Sequence, residues 1–129
     1  MINVAVAVIY LNGTILIQQK RLDHKREYLR GRWEFPGGKI EDNETVYEAL
    51  YREIREELSI EIRAVKSLGS FYTQYPGGLQ NKLHVFKCEI VGGGIMPCDG
   101  QEQVRWIMPY ELQDYQPQLD KMQDMLENL

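Results

Sequence analysis

The 129-residue sequence predicts an α+β fold, a mixed β-sheet covered by helices in one domain. Three observations predict it. Two apolar, β-branched runs flank Asn12-Gly13 near the start. One strongly patterned helix ends at Leu58. Two more strand-like runs and a tail striped with Met and Leu follow it.

Residues 4–10 alternate β-branched side chains with small alanines, and residues 14–19 place Ile15 and Ile17 two apart. Asn-Gly between two such runs is the strongest short-range hairpin signal, because both turn positions need a positive φ. Residues 20–32 are polar and basic and read as a loop. Trp33-Glu34-Phe35 reads as a short strand stopped by Pro36-Gly37-Gly38. A helix is expected from residue 44 or 45 to 58. Thr45 with Glu48 makes a capping box, and Asp42 and Asn43 also favour a helix start. Strands are expected at 61–72, at 81–91, where Gly92-Gly93-Gly94 breaks the run, and at 104–107. Residues 109–112 suit a helical turn. The tail reads as a helix with Pro117 at its first position and Leu119, Met122, Leu126 and Leu129 packed on the core.

Composition narrows the function. The chain is 43% hydrophobic and 26% charged, ordinary for a soluble domain. No apolar run reaches the ~18–20 residues of a membrane span, so no membrane association is expected. The apolar start lacks a basic n-region and reads as a strand rather than a signal peptide, which points to the cytoplasm. A net charge of −4 argues against binding a nucleic-acid polymer. It leaves room for a small anionic substrate, since one basic patch or bound cation is enough. Cys88 and Cys98 have no zinc-type spacing. Both thiols are expected to be free, with a Cys88–Cys98 disulfide as the alternative.

The chemistry concentrates on the helix. At ~100° per residue, Glu56 lies about 60° to one side of Glu53 and Glu57 about 40° to the other. Leu50, Ile54, Leu58, Tyr47 and Tyr51 occupy a separate apolar arc, which must face the core. On an exposed helix such a Glu–Glu pair costs about 0.2–0.5 kcal/mol. At ~6 Å and an effective dielectric of ~20 it repels by about 3 kcal/mol, enough to call for a cation. The helix alone fits a solvated charged face or a metal site. Gly37-Gly38 just before it would let backbone approach a ligand and offer a carbonyl, and Mg²⁺ takes oxygen ligands of this kind.

Residues 38–60, GKIEDNETVYEALYREIREELSI, resemble the Nudix box: Gly, five residues, Glu, seven residues, Arg-Glu-apolar-any-Glu-Glu-any-Gly-apolar. Gly38, Glu44, Arg52, Glu53, Ile54, Glu56, Glu57 and Ile60 match in register. Ser59 stands where the family has glycine. The preceding WEFPGG, the opening hairpin and the element order resemble the MutT-type nucleoside triphosphate pyrophosphohydrolases. The resemblance implies an α/β/α Nudix sandwich over residues 1–129. It also implies Mg²⁺-dependent cleavage of a nucleoside triphosphate to monophosphate and pyrophosphate, with Mn²⁺ as the alternative ion.

By position, the resemblance makes Glu53, Glu56 and Glu57 metal ligands, with the carbonyl of Gly37 or Gly38 nearby, and Glu53 the candidate general base. Glu44 and Arg52 look like the pair that orients the cluster. A further acidic ligand is expected from the loop before the last strand, where Asp99 and Glu102 are the candidates. Arg21 is the best candidate to grip phosphate, and Tyr28, Tyr72 or Tyr75 to stack on a base. Where oxidised-guanine enzymes of this type carry an asparagine near the last helix, this chain places Leu119, beside Gln118 and Asp120. That leaves the base open, including cytidine. The same chemistry on ADP-ribose, a nucleotide sugar or a dinucleoside polyphosphate is the alternative, as is a non-catalytic nucleotide sensor. The chain is expected to act as a monomer or homodimer on one small nucleotide.

Overall fold

The opening hairpin sets the frame. In the computed structural model, which describes residues 1–96 and 100–129, β1 (Ile2–Leu11) turns through Asn12 and Gly13 into β2 (Thr14–Lys20). Asn12 and Gly13 have φ of 50° and 84°, the left-handed conformations the turn requires. β1 changes partners along its length. It pairs in parallel with β6 (Gln80–Gly93) from Ile2 to Ile9, antiparallel with β4 (Gly37–Lys39) at Val4–Val6, and with β2 at Tyr10 and Leu11. β2 in turn pairs with β3 (Trp33–Glu34) and β7 (Gln101–Ile107), and β6 with β5 (Ile60–Gln74). The sheet is mixed, as expected, and runs to seven strands among the described residues.

Helix α1 (Val46–Leu58) begins where the sequence reads it. Thr45 Oγ1 accepts from the Glu48 amide at 3.1 Å, and Glu48 Oε1 accepts from the Thr45 amide at 2.8 Å. Ala49, Leu50, Ile54 and Leu58 are fully buried against Ala5, Ala7, Ile9, Leu16, Phe86 and Cys88. Each Leu or Ile so buried contributes about 1.5–3 kcal/mol. Tyr47 stays half exposed, and the Tyr51 hydroxyl accepts from the Ala64 amide instead of entering the core. Burying that arc fixes the rotation of α1 and swings its acidic face toward β4.

The opposite face of the sheet carries a second core, with Val6, Val8, Ile15, Ile17, Trp33 and Val85 under Leu112, Met122 and Met125. Here the tail differs from expectation. No helix starts at Pro117. Its carbonyl accepts from the Trp33 amide at 2.8 Å, the Leu119 amide donates to the Trp33 carbonyl at 2.9 Å, and Gln118 forms a bridge with Trp33. Only α2 (Met122–Met125) is helical. Pairing with the otherwise open edge of β3 satisfies backbone groups that a helix would have left to β3 alone. The Met stripe still packs inward. β5 and β6 run longer than predicted, with bulges along β5. β4 and the first residues of β7 read as loop in the sequence. The helical turn expected at 109–112 is a 3₁₀ helix over Pro109–Asp114. No helix among the described residues is long and apolar enough to cross a membrane.

Candidate active site

The site forms where β4 passes between β1 and α1. A Cβ on Gly37 would lie 2.1 Å from the Ala5 carbonyl oxygen, and one on Gly38 would lie 2.3 Å from Cδ of Glu53. Gly37 is therefore required by the backbone of β1. Gly38 is required by a carboxylate lying directly on its main chain.

Arg52 fixes that carboxylate. Its guanidinium donates to both oxygens of Glu44 (2.7 and 2.9 Å), to Glu53 (2.9 Å), to Glu56 (3.3 Å) and to the Lys39 carbonyl (3.1 Å). The fork shape of the guanidinium permits this; a lysine could not do it. Hydrogen bonding to Arg52 and to the Glu41 amide holds the Glu44 carboxyl down at about 2.

Glu57 faces the other way, into the sheet. Its Oε2 accepts from the Gly37 amide at 3.1 Å, and Gln18 Nε2 approaches its Oε1 at 3.5 Å while donating to Glu34 at 3.0 Å. Gln18 is itself buried, and its carbonyl accepts from Gln101, whose amide also donates to the Glu57 carbonyl at 3.0 Å. Burial, then the charges of Glu34 and Glu53, push the Glu57 carboxyl up to about 8, against Lys20 and the Gly37 amide. Burial also raises Glu53, against Arg52. Burial works against the Lys20 ammonium, but Glu34 at 3.2 Å holds it charged above its ordinary range.

Three acidic side chains thus crowd β4, namely Glu53, Glu57 and Glu34. Glu56 is more exposed and engaged by Arg52. Among the described residues no three acidic, His or Cys side chains converge tightly on one point. The crowded set nonetheless suits a divalent cation. Its donors are oxygens, and Glu53 and Glu57 are lifted by burial and by neighbouring negative charge, which a bound positive charge would reverse.

Other expected residues lie elsewhere. Glu102 accepts from the Leu22 amide at 3.3 Å, outside the crowded set, and Gln101 beside it turns inward instead. Asp99 and Cys98 lie outside the described residues. Arg21 is exposed and paired with Asp23 at 2.8 Å. Gln118 donates to the Leu112 carbonyl, and its own carbonyl accepts from Arg32 at 3.0 Å. Lys20, Arg26 and Arg32 belong to the basic segment 20–32 that the sequence offers as a phosphate grip, although Arg21 is the residue it favours there. Glu34 stands inside WEFPGG and Gln101 beside the acidic candidates, but neither they nor Gln18 were singled out as site residues.

One cavity of about 450 Å³ adjoins these parts. Glu34, Gly37, Gly38 and the basic side chains of Lys20, Arg26, Arg32 and Lys39 line it, as do the apolar side chains of Leu83, Leu119, Met122 and Met125. Tyr28 and Tyr75, ring centroids 5.4 Å apart, line it too, whereas Tyr72 is outside, under the Lys82 ammonium. Such a cavity can hold phosphates against its basic groups and a ring against its apolar ones.

Comparison with known proteins bears on the family and the fold. The family model described as the NUDIX domain matches residues 1–129. The chain is 34% identical over 115 residues to the CTP pyrophosphohydrolase of Escherichia coli (strain K12), covering 89% of this chain and 82% of that one. It is 38% identical over 65 residues to the 8-oxo-dGTP diphosphatase of Proteus vulgaris, covering 50% of this chain and 55% of that one. The crystal structure of a MutT NUDIX hydrolase from Burkholderia pseudomallei superposes with a TM-score of 0.84 at 26% identity, covering 99% and 97% of the two chains. With the box on α1 and β4, the sheet order and these relatives in agreement, the chain belongs to the Nudix family and is a MutT-type pyrophosphohydrolase acting on nucleotides.

Proposed function

We propose that the protein hydrolyses a nucleoside triphosphate to its monophosphate and pyrophosphate, with Mg²⁺ as the ion and CTP as the first substrate to test. The cavity carries this reading. It brings Gly37, Gly38, Glu34 and several basic side chains together with Leu83, Leu119, Met122 and Met125 in one lining. In the proposed mechanism Glu53, Glu56 and Glu57, with the Gly38 carbonyl, hold the ion. When bound, the ion neutralises phosphate charge and makes water a better nucleophile.

The remaining work falls to the chain's own groups. Glu53 takes the proton of the attacking water. Its place against Gly38 sets the carboxylate beside the ion it would share, where that water would lie. Arg52, fixed by Glu44, keeps the Glu53 carboxylate pressed on Gly38. Lys20, Arg26, Arg32 and Lys39 offset phosphate charge where they line the cavity. Arg21, tied to Asp23, has the weaker claim to that role.

The base preference rests on two supports. One relative matched over most of both chains is a CTP pyrophosphohydrolase. Leu119, which lines the cavity, offers no amide to read an oxidised purine. The test is product analysis on a panel of triphosphates, ADP-ribose and nucleotide sugars, with and without Mg²⁺. The expected result is metal-dependent pyrophosphate from CTP, lowered about 10²–10⁴-fold in Glu53→Gln. Turnover of ADP-ribose or a sugar nucleotide alone would overturn the triphosphate reading.

A further inference from the structure

Asn81 is the one buried side chain among the described residues with an unpartnered polar atom. Its Nδ2 has no hydrogen-bond acceptor, and the residue is 1% exposed. An orphan donor of this kind costs about 1–3 kcal/mol and is rare in native interiors, so it calls for a cause.

Its place in the sheet supplies one. Asn81 sits in β6 opposite Ile2 of β1 and Thr73 of β5. Side chains alternate along a strand, so Asn81 shares a face with Leu83, Val85, Val4 and Val6. That face is turned away from α1, and Asn81, Leu83 and Val4 all line the cavity. The intervening residues point the other way: His84 meets Asn3, and Lys82 meets the Tyr72 ring. The orphan donor therefore lies on the cavity side of the sheet, beside Ile2, Leu83 and Thr73.

We propose that Asn81 is a base-reading residue, its Nδ2 donating to a lone-pair acceptor on the edge of the bound nucleobase, a ring nitrogen or exocyclic carbonyl oxygen. This rests on the triphosphate reading only in placing the base against the apolar lining of the cavity. A buried donor discriminates strongly, because a ligand without the matching acceptor leaves it unsatisfied. Leu83, Leu119 and the two methionines bury the ring but read no edge.

The experiment is equilibrium binding of CMP, UMP, GMP, AMP and ribose 5-phosphate to the wild type and to Asn81→Ala and Asn81→Leu, which needs no turnover. The wild type is expected to bind at least one nucleoside monophosphate more tightly than ribose 5-phosphate. Both variants are expected to lose about ten- to hundredfold in affinity for that nucleotide and to keep their affinity for ribose 5-phosphate. Unchanged nucleotide affinity in both variants would overturn the proposal, as would parallel loss for nucleotide and sugar phosphate. So would a wild type that gains nothing from the base. A wild type that binds a base through Asn81 but hydrolyses no triphosphate would sink the proposed reaction and leave this inference standing.

Discussion

Arg52 donates to Glu44, Glu53, Glu56 and the Lys39 carbonyl at once, so the Glu53 carboxylate reaches Gly38 in a fixed pose. A methyl group at Gly38 would occupy that place. Gly38→Ala is expected to lower kcat by about tenfold or more while shifting Tm by only a few degrees, since a side chain can swing aside. Gly37→Ala meets the backbone of β1 and is expected to destabilise the whole protein. Kinetics and thermal melts on the two variants check the contrast. Equal loss of stability in both would mean that Gly38 serves packing alone.

Glu57 gives a pH signature. Its carboxyl sits at about 8 in the metal-free fold against 4.5 ordinarily. Between those values the folded state holds a proton that the unfolded state has released, so stability falls as pH rises through the window. We expect the Tm of chelator-treated protein to drop by several degrees or more between pH 5 and 8. Glu57→Gln should flatten the slope, and added Mg²⁺ should oppose it. A flat profile in the wild type would contradict the crowding described around β4.

At the scale of elements, α1 was legible because its signals are local. The capping box, the apolar arc and the acidic spacing all lie within thirteen consecutive positions after Thr45. The opening hairpin was legible for the same reason. The surroundings of Glu57 were not, because Gln18, Glu34 and Gln101 reach it from 39, 23 and 44 positions away and only sheet pairing brings them together. The tail misled because a hydrophobic stripe reports burial and not its backbone. Pairing with Trp33 decided the conformation of 117–119.

Ser59 shows a local rule broken at a helix end. It caps α1 with φ 59° and ψ 31°, a left-handed conformation that glycine adopts without strain. Ser59→Gly is expected to stabilise the protein by about 0.5–1 kcal/mol, seen as a Tm rise of a few degrees with kcat unchanged. A fall in Tm would mean that contacts of the hydroxyl outweigh the backbone term.

For the whole molecule, β1 is the dividing wall. Ala5, Ala7 and Ile9 face α1, while Val4, Val6 and Val8 face the tail, and Val4 and Val6 line the cavity. The tight β1–β4 approach holds the two sides in register, and β5 and β6 extend the wall to Asn81.

That partition has a bearing on descent. Substitutions at Leu119, Asp120, Met122 or Asn81 reshape one side of the wall without touching Arg52 or Glu53 on the other. A lineage built this way can drift from one nucleotide to another through changes in its last dozen residues and one strand, each intermediate keeping its catalytic engine. Relatives sharing the acidic helix would then diverge in diet long before they diverge in reaction.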